Sequence, residues 1–261
     1  MAMRHIVPVV SGKGGVGKST LAVNLAVGLG LTGARVALVD SDFYGPSIPT
    51  LMGGGEVIAD HEGQLVPPLK HGIKYVSLGF FLRNPDDAVI WRGPMFNKAL
   101  QQLFQDVNWG EIDYCIVDMP PGTGDAQISL TQMLRLSGAV VVTTPQEVAL
   151  ADVRKAISML DRVKVPVLGI VENMSAYIQP DGQQIPIFGK DGGKHLAEKL
   201  GVPLLAQIPI DISVREGGDN GMPVVLDGNS NVGKVYRELA LKLKSILDTS
   251  SQTDSEVRIV N

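Results

Sequence analysis

Cysteine is nearly absent from this sequence: Cys115 is the only one in 261 residues. A single thiol excludes an internal disulfide framework, as expected of a reducing compartment. Cys115 falls in the apolar run 114–117, so it is expected on a buried strand, where a thiol is inert. Long apolar runs are missing too. No stretch approaches the ~20 residues of a membrane span, because 21–39 is interrupted by Asn24, Thr32 and Arg35. Residues 1–5 are too few for a signal peptide ahead of the first strand, and a cytoplasmic protein without stable membrane association is expected. Nor is positive charge in excess: 23 Lys and Arg against 27 Asp and Glu give a net charge of -4. That disfavours bulk electrostatic attraction to nucleic acid, and no nucleic-acid partner is expected. His61, Glu62 and His71 sit in a Gly- and Pro-rich stretch, 53–72, that reads as a surface hairpin without metal-ligand spacing.

What is present suits a globular chain with an ample core: 44% hydrophobic and 19% charged residues. No repeat or linker divides it, so one domain is expected over 1–248. The Ser-, Thr- and Asp-rich segment 249–261 is expected to be disordered.

The central stretch is Gly12-Lys13-Gly14-Gly15-Val16-Gly17-Lys18-Ser19, which fits G-x-x-x-x-G-K-[ST] without a mismatch. Its context is the required one. The run 6–10 reads as a buried strand and 21–31 as a helix. Gly12, Gly14, Gly15 and Gly17 carry no Cβ, so successive N–H groups can turn onto β- and γ-phosphate oxygens, helped by the positive end of the helix. Lys18 is expected to neutralise the terminal phosphates, Ser19 to ligate Mg²⁺, and Thr20 to lie nearer the α-phosphate. The ligand implied is a nucleoside triphosphate with magnesium.

Two further strands end in acids. The run 34–39 leads into Asp40-Ser41-Asp42, and 114–117 into Asp118. Open α/β sheets bind ligands at such strand ends. Asp118 is expected in the Mg²⁺ shell; taken alone it could be a strand-end cap, but the order of phosphate loop, Asp pair and Asp118 argues against that. For Asp42, capping the turn at Gly45 and Pro46 is the bland alternative. The segments 43–47 and 120–125 read as two switch loops beside the γ-phosphate. An amphipathic helix over 95–106 buries Phe96, Leu100, Leu103 and Phe104. Strands at 73–78, 139–143, 165–171 and 204–208 alternate with helices at 148–160, 192–200 and 232–247. The fold class expected is α/β: a doubly wound, mainly parallel sheet of the P-loop NTPase type.

The second lysine, Lys13, narrows the reading. G-K-G-G-V-G-K-S resembles the deviant phosphate loop of the superfamily that includes the nitrogenase iron protein, MinD, ParA and Mrp. Together with D-F-Y-G-P-S, W-R-G-P at 91–94, D-M-P-P-G-T-G-D, E-N-M-S at 172–175 and the I-P-I-D run ending at Glu216, the chain from 4 to 247 is similar to Mrp (ApbC) proteins, ATP-dependent carriers of iron–sulfur clusters. The resemblance implies a slow homodimeric ATPase, and an iron–sulfur or metalloprotein client or assembly factor as partner. It implies that Lys13 crosses the dimer interface to the partner's phosphates. It also implies that Asp42 acts on the attacking water, that Asp40 helps around the metal, and that Asn173 reads the adenine edge while the segment at Pro209 packs on the ring. Asn173 as a simple turn residue stays open. Typical members place C-x-x-C just after E-N-M-S, so that two subunits share one cluster through four thiolates. Here Gln179 and Gly182 stand at those places, and neither can replace a thiolate. The nucleotide machinery carries over residue by residue; the cluster site does not. A spatial organiser like MinD or ParA and a nucleotide-sensing adaptor are the alternatives.

Overall fold

The computed structural model describes residues 2–42, 45–61, 63–81 and 93–256. In chain order the strands are β1 (Ala2–Ser11), β2 (Val36–Asp40), β3 (Ile58–Ala59), β4 (Leu65–Val66), β5 (Leu69–Lys70), β6 (Ile73–Ser77), β7 (Glu111–Asp118), β8 (Ala139–Thr143), β9 (Val167–Ile178), β10 (Gln184–Ile185) and β11 (Leu204–Ile210). The helices are α1 (Lys18–Gly30), α2 (Ile48–Leu51), α3 (Gly93–Gln105), α4 (Asp125–Met133), α5 (Glu147–Arg162), α6 (Gly192–Leu200), α7 (Ile212–Asp219) and α8 (Asn231–Glu256).

One sheet runs β10-β9-β8-β1-β7-β2-β6-β5, with β11 beside β9. All its pairings are parallel except those of β5 with β6 and β10 with β9. β3 and β4 form the separate hairpin expected within 53–72. The period of two along each inner strand decides the layers. Val7, Val9, Leu38 and Ile116 face one core with Leu21, Leu25 and Tyr236 of α1 and α8; Ile6, Val10, Val39 and Val117 face the other with Leu100, Val153 and Leu196 of α3, α5 and α6. Both faces are therefore covered, as a parallel sheet requires, and the doubly wound reading holds.

Several elements differ from expectation. β9 does not stop at Val171 but continues through Glu172-Asn173-Met174-Ser175, because β11 and β10 pair with its second half. Helices α4 and α7 were not foreseen. α8 was expected to end at Leu247 and give way to a disordered tail, yet it continues to Glu256. Lys244 pairs with Asp248 one turn on at 2.5 Å, which supports the helix, and the Thr249 and Ser250 hydroxyls are accommodated by donating to carbonyls four residues back. Of the expected sites, Phe43, Tyr44, Glu62, Trp91 and Arg92 lie outside the described residues. Among the described residues no helix is long and apolar enough to cross a membrane.

Candidate functional site

The central strands bring three chain segments to one point. β1 lies between β7 and β8, and β2 lies beside β7. Register places Val9 opposite Asp118 and Asp40 opposite Asp118, so the phosphate loop after β1 and both strand-end acids meet at one edge. Gly17, at φ 83, turns the chain into α1, whose first residue is Lys18. α1 is buried almost all round, between the sheet and α8, which fixes the loop's exit.

Gly12 is constrained by packing. A Cβ there would stand 2.2 Å from the Asp152 carbonyl carbon and 2.3 Å from the Val153 nitrogen, both backbone atoms of α5. Gly12→Ala must therefore push the loop off α5. It should cost about 1–3 kcal/mol, the usual range for overpacking. A thermal melt at least several degrees lower, with weakened nucleotide binding, is the expected result.

Lys18 is buried and donates to Asp118 Oδ1 at 2.6 Å and to Asp42 Oδ2 at 3.4 Å, with Ser19 Oγ at 3.5 Å. Asp118 Oδ2 is buried and has no hydrogen-bond partner. Burial pushes the Asp118 carboxyl up, and Lys18 pulls it back. Asp40 is pushed up to about 8, first by burial and then by repulsion from Asp118. Two buried acids short of positive charge, one with an unused oxygen beside a serine hydroxyl, are a donor set that fits a divalent oxygen-seeking cation. Asp40 is also an anchor. Its oxygens accept from Asp42 N (3.1 Å), Ser77 Oγ (2.8 Å) and Ile48 N (3.3 Å), tying the loop 41–48 to β6.

Ser47 was grouped with the first switch, without a role of its own. Its Oγ lies 3.4 Å from Ser19 Oγ, in the cavity of about 350 Å³ that Lys13, Lys18, Asp42 and Pro121 also line. The second switch is tethered from both sides: Gly122 N donates to Ser11 O at 3.1 Å, and Gln127 Nε2 to the carbonyls of Pro120 and Pro121 at 2.8 Å each. Gln127, on the unforeseen α4, carried no motif signal. Lys13 is half-buried at the mouth of this cavity, its carbonyl held by Ser11 Oγ at 3.0 Å.

A second cavity of about 470 Å³ continues from the first, sharing Gly17 and Thr20 with it. Its walls are mostly apolar, with Pro209, Ile210, Val214, Ile187 and Phe188, and its polar groups include Asn173, Asp211, Arg215 and Asp219. A mostly apolar cleft with a few polar groups can take a flat ring, and Thr20 stands at its junction with the first cavity. Asn173 and Pro209 both line it. Asn173, however, also donates from Nδ2 to Val16 O at 2.8 Å. Next to it, Met174 holds φ 55, a strained value for a non-glycine residue and common beside ligand sites.

Cys115 is fully buried on β7, and burial raises its pKa far above the ordinary thiol range. Gln179 and Gly182 close the turn of the β9–β10 hairpin: Gly182 N donates to Gln179 O at 2.9 Å, with Gly182 at φ 87. The two positions are neighbours at an exposed tip, without thiols.

The family described as ParA, NUBPL iron-transfer P-loop NTPase, matches residues 2–244. The chain is 52% identical over 231 residues to an iron-sulfur cluster carrier protein of Synechocystis, covering 86% of this chain and 65% of that protein. It is 45% identical over 262 residues to a mitochondrial iron-sulfur protein required for NADH dehydrogenase in Arabidopsis thaliana, covering 98% and 83%. The chain thus spans about two thirds of the length of the Synechocystis relative. Among solved structures, a nucleotide-binding protein from Archaeoglobus fulgidus in complex with ADP superposes with TM-score 0.74 at 39% identity, covering 84% of this chain and 87% of that one. The septum site-determining protein MinD of Pyrococcus horikoshii, complexed with Mg-ADP, gives 0.68 at 26%, covering 92% and 96%. With a family match along nearly its whole length, and relatives about half identical to it, the chain belongs to the NUBPL iron-transfer P-loop NTPase family.

Proposed function

We propose that this chain is a magnesium-dependent ATPase that works as a homodimer in iron–sulfur cluster transfer, nucleotide turnover gating the delivery. The observation that carries the nucleotide half is the buried contact of Lys18 with Asp118 and Asp42 at the phosphate-loop mouth. An arriving triphosphate offers Lys18 a stronger anion than the two carboxylates, so the lysine turns to the phosphates and the acids are released. Asp118, through its spare oxygen, and Ser19 would hold Mg²⁺, with Asp40 behind them and Ser47 alongside; the chemistry it would supply there is neutralisation of phosphate charge. Asp42 then orients the attacking water. Lys13 of the second subunit reaches the developing charge, in the manner of an arginine finger. Loss of the γ-phosphate relaxes both switch loops, including the segment held by Gln127.

The cluster is cargo. Cys115 cannot hold it, being buried with its thiolate disfavoured, so the thiolates come from a donor or acceptor protein engaged by the dimer. The cytoplasm is the compartment this chemistry suits. The test is anaerobic transfer of a cluster from a loaded scaffold to an apo-acceptor, read by absorbance and iron content. Transfer should speed up with this protein and Mg-ATP, and Cys115→Ser should behave as wild type. A rate indifferent to ATP would contradict the proposal.

A further inference from the structure

Asn173 and the phosphate loop are 157 residues apart in sequence and share a buried hydrogen bond, from Nδ2 to Val16 O at 2.8 Å. Asn173 is 8% exposed and Val16 2%, so solvent cannot readily replace either partner. The contact is tight on a second side. A Cβ on Gly17 would lie 2.2 Å from Asn173 Nδ2, so a side chain on the residue after Val16 would displace this amide from its bond, besides meeting the strain of a φ of 83.

The strand behind the amide is held rigidly. Successive residues of a strand face opposite sides. Glu172 accordingly points away, taking Gly193 N at 2.5 Å and Gln207 Nε2 at 2.7 Å, while Asn173 is paired in register with Ile208 of β11. A fixed strap thus grips the loop by its carbonyl.

We propose that Asn173 is a positioning residue of the phosphate loop: its amide holds the Val16 carbonyl outward, which keeps the loop's N–H groups set for phosphate whether or not a base is present. The inference rests on the reading of the two joined cavities as a nucleoside triphosphate site, and it goes beyond base recognition. Asn173 lines the second cavity and bonds the loop that lines the first, so one side chain touches both.

The test compares Mg-tripolyphosphate, which has no base, with Mg-ATP by calorimetry. Asn173→Ala should weaken tripolyphosphate about tenfold, the size of one buried hydrogen bond, and ATP by at least as much. Asn173→Leu, which keeps the volume, should do the same, and a circular dichroism melt shows that each variant is folded. A double-mutant cycle adds a readout that general loosening does not move. Gly17→Ala should cost much more tripolyphosphate affinity beside Asn173 than beside Ala at that position, because the opposing atom is then gone. Unchanged tripolyphosphate binding in folded Asn173→Ala, with only ATP weakened, would overturn the proposal, as would strictly additive effects in the cycle. If wild type bound neither ligand, the nucleotide reading itself would fail and this inference with it.

Discussion

Lys18→Met is expected to abolish measurable nucleotide binding while leaving a folded protein whose stability has become steeply dependent on pH. The lysine lines the phosphate cavity, and its stem lies inside the protein with 7% of the side chain exposed. Removing a buried, charge-paired group from a binding site costs about 3 kcal/mol or more, roughly two orders of magnitude in affinity. Methionine keeps the packing of the stem, so the loss reports charge and hydrogen bonding. The same substitution strips Asp118 of its 2.6 Å partner while the carboxyl remains fully buried. Burial already lifts Asp118 above the usual carboxylate range, and without Lys18 it rises further. A carboxyl raised on folding contributes stability that is fully present below its unfolded pKa and is lost as pH rises through the folded one. The variant should therefore melt close to wild type near pH 4 and progressively lower towards pH 8. Melts across that range check this, and a parallel pair of curves would contradict the ion-pair account.

Lys13→Ala should separate binding from turnover. Lys13 lines the mouth of the phosphate cavity, half-buried, and its ammonium makes no ion pair among the described residues. Its backbone is fixed through Ser11. A cation at the rim without an ion pair among the described residues suits the role proposed for it across a dimer interface. The expected result is ATP affinity within about threefold of wild type and turnover reduced about a hundredfold or more. That falls at or just below the range for cations supplied in trans to phosphoryl transfer. Turnover measured against protein concentration checks the point: wild type should rise with dimer formation and the variant should not. Equal turnover in both would refute the role in trans.

The sequence made the phosphate loop and the acids at 40 and 118 legible, because both signals are local: a fixed-spacing motif between strand and helix, and apolar runs closed by carboxylates. The strands 139–143 and the helix 192–200 are legible for the same reason, and they match β8 and α6 to the residue. What stayed hidden depends on distance. α7 carries Gly217 and Gly218, poor helix formers, and exists because those glycines let it dock: a Cβ on Gly218 would meet Leu51 at 2.9 Å, and one on Gly217 the Met222 carbonyl at 2.5 Å. β9 continues past Glu172 because of partners far along the chain, and Met174 with φ 55 sits where no local propensity would put it. The Asn173 contact with Val16 was likewise invisible, since a motif names residue types and not their partners. Composition misled at the end of α8, where serines and threonines that suggested disorder bond back into the helix.

Calorimetric titration of Mg-ATP into the folded protein tests the central claim most directly. Saturable heat is predicted with one site per subunit, abolished by Lys18→Met and weakened when magnesium is withheld. Absence of heat from wild type, with the melt showing native protein, would contradict the account.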